Sequence, residues 1–156
     1  MFKDCVIKVN GVAPPITIKP NEKVRIDVYF TVIEDVYEVI ATPHLITPSG
    51  KTLSGKAVGL PQRLYRNVSA NSRLQATWEF KAEEKGTYHF YVTLSYWDTT
   101  KMPMYAYWYS DIIPIVTISE VVEKKPLEEM VEAIIPLAVA GIVAYAITKS
   151  AIEKVV

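Results

Sequence analysis

The chain has 156 residues, 17 Lys and Arg against 17 Asp and Glu, and a mean hydropathy of +0.14 with 50% hydrophobic residues. A balanced charge excludes nucleic-acid binding by bulk electrostatic attraction, which would need a local basic patch instead. A single cysteine excludes an intrachain disulfide and a cysteine-based zinc site, and His44 and His89 are too few and too scattered for a histidine-rich one. In chain order, residues 3 to 9 and 15 to 19 are short strand candidates separated by the turn signals Asn10-Gly11 and Pro14-Pro15. From Val24 the pattern is clear: Val24, Ile26, Val28, Phe30 and Val32 alternate with Arg25, Asp27, Tyr29 and Thr31, a period of two that buries one face. Weaker candidates follow at 36 to 47, 52 to 58 and 63 to 69, punctuated by Pro48-Ser49-Gly50 and Gly59-Leu60-Pro61. Leu74, Ala76, Trp78 and Phe80 then alternate with Arg73, Gln75, Thr77 and Glu79. After the turn at Ala82 to Gly86, one face of the next strand carries Tyr88, Phe90, Val92 and Leu94, and 104 to 109 and 112 to 119 complete the series.

Seven to nine short strands, regular turn spacing and no helical period before residue 126 define an all-β fold: two antiparallel sheets packed as a sandwich over residues 1–118. The segment Gly86-Thr87-Tyr88-His89-Phe90 resembles the Gly-x-Tyr-x-Cys turn into strand F of immunoglobulin-like domains, with Phe90 in the place of the second cysteine. The resemblance implies that the Tyr88 hydroxyl bonds back to nearby backbone as a tyrosine corner. Both core cysteines and the strand-C tryptophan of antibody domains are absent, so fibronectin-III-like and other disulfide-free sandwiches are closer. Such folds host many functions, and the fold alone selects none.

Composition changes at residue 119. Residues 119–126 are a charged neck, and the stretch 119–132 holds five of the seventeen acids and the only Lys-Lys pair. Pro126 suits the first helical position, with Glu128 and Glu129 in the first turn, so one long hydrophobic α-helix is expected over 127–156. Its centre, 133–147, has fifteen residues and no charge. Fifteen residues rise about 22 Å, short of the roughly 30 Å of a bilayer's hydrocarbon, whereas nineteen, over 130–148, reach about 28 Å. Ile134, Ile135, Leu137, Val139, Gly141, Ile142, Val143, Tyr145 and Ile147 are therefore expected to anchor in a membrane or to pack at the centre of an oligomer. Small residues such as Ala138, Ala140 and Gly141 allow close backbone approach in either setting. Pro136 is expected to kink this helix near Glu132. No basic n-region with an apolar core precedes the first strand, so the expectation is a cytosolically made, membrane-associated protein whose tail inserts last.

Residues that carry chemistry are sparse. His44 and His89 read as surface or strand-packing imidazoles, and Cys5 as a small buried thiol. The pairs Glu34/Asp35, Glu83/Glu84 and Glu128/Glu129 fall in turns or at a helix start, where solvated carboxylates are ordinary. With no phosphate loop, metal-ligand spacing or nucleophile elbow, neither catalysis nor a cofactor or metal is expected. Two surface features remain. No acid lies between Glu38 and Glu79, while Lys51, Lys56, Arg63, Arg66 and Arg73 fall in that window, a basic flank suited to solvent, an acidic neighbour or lipid headgroups. Nucleic acid is not expected, because the aromatic residues lie elsewhere. Tyr96, Trp97, Tyr105, Tyr107, Trp108 and Tyr109 bracket residues 98–104, the F–G loop of the resemblance, and are candidates for a subunit or ligand contact. Alternation sends Tyr105, Tyr107 and Tyr109 to one face and Trp108 to the other. Asn67-Val68-Ser69 is an N-glycosylation sequon.

The sequence thus predicts a non-enzymatic structural protein: a sandwich displayed on a C-terminal membrane-anchoring or oligomer-forming helix. Its partners are other protein subunits, copies of itself included, in an assembly such as a virion shell or capsid, a spike or a cell-surface structure, with membrane lipid met through the helix. An adhesion or carbohydrate/protein ligand-binding module using the aromatic F–G loop is the alternative, and an accessory subunit of a membrane complex a third. Two Gln, ten Pro and one Cys are compatible with a thermophilic source.

Overall fold

The computed structural model describes residues 1–97 and 105–119. The loop 98–104, the neck beyond Ser119 and the helix expected over 127–156, with its candidate anchoring residues, lie outside the described residues. The strands are β1 (Phe2–Val9), β2 (Ile16–Ile18), β3 (Lys23–Val32), β4 (Val36–Ile46), β5 (Thr52–Leu53), β6 (Arg63–Val68), β7 (Ser72–Lys81), β8 (Gly86–Trp97), β9 (Tyr105–Tyr109) and β10 (Ile113–Ile118). The smaller sheet has the order β1-β3-β7. The larger runs β2-β10-β8-β4-β5, with β6 also beside β4 and β9 also beside β8. Every pairing is antiparallel except that of β2 with β10.

The alternation read from β3 sets the core. Val24, Ile26, Val28, Phe30 and Val32 are all fully buried, and an unbroken register from Lys23↔Lys81 to Val32↔Ser72 brings Ala76, Trp78 and Phe80 of β7 onto the same face. Phe90, Val92 and Leu94 of β8, with Val39, Ala41 and Leu45 of β4, form the opposite wall of the same cluster. Each such large aliphatic or aromatic side chain contributes roughly 1.5–3 kcal/mol by leaving water. The core tryptophan comes from β7, and its indole N–H donates to the Pro61 carbonyl at 2.6 Å, so no polar atom is stranded by burying it. The Tyr88 hydroxyl accepts the backbone N–H groups of Glu83 and Glu84 at 3.2 and 2.9 Å, the back-bond that the resemblance of the Gly86–Phe90 segment implies.

One flank of the sandwich is closed by β6. The Tyr65 hydroxyl donates to the Gln75 carbonyl at 2.6 Å and the Arg63 guanidinium to the Thr77 carbonyl at 2.7 Å, tying the larger sheet to the smaller. On the other flank Phe2 stands edge-on to Phe30 and Tyr96, with centroids 5.9 and 5.7 Å away.

Two boundaries differ from the sequence reading. The strand expected over 52 to 58 stops at Leu53, and Lys56–Val58 is a 3₁₀ turn held between Gly55 (φ 97°) and Gly59 (φ 77°), both outside the extended region. Conversely, β8 continues to Trp97 because β4 and β9 flank residues 93–97 on both sides and satisfy the backbone.

Candidate functional site: the two outer faces of the sandwich

An antiparallel sheet that meets water on one side alternates apolar with charged residues. The two central strands of the larger sheet do not. Residues 39–50 and 86–97 hold no Asp, Glu, Lys or Arg, so β8 and all of β4 beyond Glu38 are charge-free on both faces. Their inward residues fill the core, and their outward residues line up across the ladder. Leu64, Ile40, Ser95 and Tyr107 form one row, Thr42, Thr93 and Tyr109 the next, and His44 with Tyr91 the third. Leu64 is 49% exposed and Tyr107 and Tyr109 are each 62% exposed, a large apolar presentation for a domain surface.

Polar groups on this face are arranged among themselves. The His44 ring stacks on Tyr91 with centroids 4.4 Å apart and planes 8° from parallel, and its Nε2 lies 3.0 Å from the Thr93 hydroxyl. Burial holds the His44 pKa below the ordinary imidazole value, so the ring adds no charge at neutral pH. The Gln62 amide donates to the Thr42 hydroxyl at 2.9 Å. At the rim Arg66 donates to the Glu38 carboxylate at 3.2 Å, a pair that cancels its own charge.

The outer face of the smaller sheet is the opposite in character. It carries Lys3 and Lys8 on β1, Lys23 and Arg25 on β3, and Arg73 and Lys81 on β7, against Asp27 and Glu79. Lys23 pairs with Glu79 at 3.5 Å and Arg25 with Asp27 at 3.0 Å. Asp27 is only 4% exposed although it points outward, because Arg25, Gln75 and Thr77 close over it with hydrogen bonds of 3.0, 3.0 and 2.6 Å. Tyr29 lies between the Lys8 ammonium and the Arg73 guanidinium, 5.9 and 5.7 Å from its ring centroid.

The aromatic candidates divide by strand alternation. Tyr107 and Tyr109 face outward, whereas Trp108 and Tyr96 turn in against Phe2 and belong to the core edge rather than a contact surface. Trp97 is half-buried and edge-on to Tyr37 at 5.3 Å, and the side chain of Tyr105 lies outside the described residues. The basic window does not form one flank. Arg66 lies on the larger sheet, Arg63 bridges to the smaller, Arg73 stacks on Tyr29, and Lys51 and Lys56 sit in the turns around β5. The chain changes sheets between β6 and β7, so adjacency in sequence does not become adjacency in space.

Ile40, Leu64 and Tyr91 of the neutral face were not anticipated, and neither were Lys3, Lys8, Lys23, Arg25 and Lys81 of the basic one. Ile40 and Tyr91 had a signal in the missing charges of 39–50 and 86–97, whereas Leu64 joins the face only through the pairing of β6 with β4. The basic set is assembled by topology from three distant segments.

Clefts of comparable size indent the surface formed by the described residues. One of about 500 Å³ opens between the β4–β5 and β7–β8 turns, walled by Leu53 and Phe80 and rimmed by Lys51, Lys81, Glu83 and Glu84. Another of about 490 Å³ lies between β1 and the β9–β10 junction and contains Cys5, whose thiol burial pushes up to about 11 and so keeps protonated. Among the described residues no three of His, Cys, Asp and Glu group to hold a metal ion, and no helix is long and apolar enough to cross a membrane.

No family model matches the chain, and no curated protein does. Among solved structures the fold is similar to the C-terminal domain of wzt, a β-sandwich, with a TM-score of 0.52 and 17% identity over 76% of this chain and 74% of that one. Spo0M, a sporulation control protein from Bacillus subtilis, aligns at a TM-score of 0.30 and 13% identity over 86% and 56%. The first likeness establishes the sandwich fold alone, and the second is too slight to bear on it.

Proposed function

We propose that the chain is a non-enzymatic interaction module. In this reading an immunoglobulin-like sandwich packs the neutral outer face of its larger sheet against other protein subunits, copies of this chain first among them, and residues 127–156 anchor or assemble it. The immunoglobulin-like assignment is supported by the sheet orders β1-β3-β7 and β2-β10-β8-β4, which correspond to A-B-E and A′-G-F-C, and by the Tyr88 back-bond. The interaction reading rests on one observation: β8, and β4 beyond Glu38, present a charge-free outer face that includes Tyr91 where a solvated sheet would carry Lys and Glu.

Sedimentation of the full chain tests it. The expected result is an oligomer that dissociates when Leu64→Lys and Tyr107→Lys place two ammonium groups on the face, with the melting temperature of the isolated subunit unchanged. A full chain that sediments as a monomer, or an oligomer indifferent to both substitutions, rejects the reading.

A second reading, recognition of a neutral carbohydrate, is favoured by the exposed Gln62 amide and the Thr42 hydroxyl it bonds, on the face that also carries Tyr91, Tyr107 and Tyr109. It predicts that the same substitutions abolish oligosaccharide binding in an intact assembly.

A further inference from the structure

The geometry points to the outer face of the smaller sheet as a surface that lies on anionic lipid headgroups; the inference rests on the membrane-anchoring arm of the reading above. Six cations, Lys3, Lys8, Lys23, Arg25, Arg73 and Lys81, stand on this face against Asp27 and Glu79, with Asp4 and Glu22 at its rim. Asp27 is enclosed and Glu79 is paired with Lys23, so Lys3, Lys8, Arg73 and Lys81 are left with no ion pair among the described residues. The ten-residue strands β3 and β7 make the face about 33 Å long.

Three features favour a lipid surface over other polyanions. The cations are spread over a sheet face rather than gathered along a groove that could follow a nucleic-acid backbone. Tyr29 and the exposed Val6, partners across the β1–β3 ladder, put an amphipathic ring and an apolar side chain amid the cations, a composition suited to the headgroup boundary. The uncharged stretch 133–147 begins fourteen residues after Ser119, so a bilayer that holds it keeps the sandwich within about 50 Å and at high effective concentration. The neutral face, on the other sheet, is then left free for protein.

The test uses the full chain on vesicles of phosphatidylcholine and of phosphatidylcholine mixed equally with phosphatidylglycerol. Acetylation of lysines is read by mass spectrometry, with Lys51 and Lys56 as internal references. Lys3, Lys8 and Lys81 are expected to be protected on the anionic vesicles and not on the neutral ones, with protection lost at high salt. The anionic-over-neutral partition ratio is expected to fall about 25-fold in the Lys8→Gln/Arg73→Gln double variant, roughly fivefold per cation removed. Equal lysine reactivity on the two vesicle types overturns the inference while leaving the anchor intact, and binding to neither overturns both. A partition ratio that the double variant leaves unchanged assigns the attraction to other residues and overturns the inference, as does preferential protection by duplex DNA or an acidic peptide. Leu64→Lys and Tyr107→Lys, which test the neutral face, leave the lysine protection unchanged.

Discussion

The Thr77 hydroxyl donates to the Asp27 carboxylate at 2.6 Å across the β3–β7 ladder, and Arg25 and Gln75 close on the same carboxylate from β3 and β7. Burial by itself raises the pKa of this acid, but the bonds from Arg25, Thr77 and Gln75 and the charge of Arg25 outweigh it and hold the group below the usual carboxylate range. An unfolded aspartate titrates near about 3.9, so the stability that Asp27 contributes is complete above about pH 5. It is lost as pH falls through 3.9 toward the lower folded value. Asp27→Asn is expected to cost about 1–3 kcal/mol at neutral pH. Urea midpoints for the two proteins should converge below about pH 4, where the unfolded carboxyl takes up its proton. A gap that stays constant down to pH 3 excludes the carboxylate as its source.

His44 acts in a different window. Its pKa is lowered by burial between Tyr91 and the strand surface, so the unfolded chain takes up a proton more readily than the fold does. Stability from the neutral ring is complete above the unfolded value of about 6.5 and declines as pH drops toward the folded one. Replacing His44 by Gln, which retains a donor for Thr93, is expected to flatten the fall of the melting temperature that begins below about pH 6.5, while leaving the Asp27 step in place. Nuclear magnetic resonance titration of the ring gives the folded value directly, and a value at or above 6.5 contradicts the assignment.

Gly86 sits at φ 114°, and a Cβ placed there would come within 2.8 Å of the Pro48 Cβ in the β4–β5 turn. Backbone conformation and contact both oppose a side chain, because Pro48 belongs to a turn whose backbone is tied by the Thr47–Lys51 bond. Gly86→Ala is expected to destabilise by about 1–3 kcal/mol, whereas Gly50→Ala, with φ 87° and nothing within 4 Å, carries the backbone strain alone. Thermal melts of the two variants separate the contributions.

How much of this was legible beforehand depends on the range of the interaction. The β3 and β7 strands, the inward set of β8 and the Tyr88 back-bond follow from periods and motifs spanning fewer than fifteen residues, and each is found where the sequence put it. The placement of the arginines was not legible, because whether Arg66 and Arg73 share a surface depends on which sheet β6 and β7 join. Asp27 reads in sequence as an ordinary solvated residue of an amphipathic strand. Only the register that sets Thr77 opposite and Gln75 beside it encloses the carboxylate. The neutral face was half visible: Tyr107 and Tyr109 were singled out for their chemistry, while Ile40 and Leu64 became part of the site through the pairing of β4 with β6.

Trp108 and Tyr109 are neighbours on β9 with opposite surroundings, which allows core and contact to be separated on a single strand. Trp108 packs against Phe2 at a centroid distance of 6.4 Å, and its truncation to Ala is expected to cost about 3 kcal/mol at any protein concentration. Tyr109 is 62% exposed beside Thr93, so Tyr109→Ser should change the stability of a dilute subunit by no more than about 0.5 kcal/mol. A partner that binds only the folded subunit adds a stabilisation that grows with its concentration. If the neutral face packs against copies of this chain, the wild-type melting temperature rises with protein concentration and that of the Tyr109→Ser variant rises less. Trp108→Ala keeps the wild-type slope at a lower temperature. Differential scanning calorimetry over a hundredfold concentration range reads all three, and parallel slopes for wild type and Tyr109→Ser remove Tyr109 from the interface.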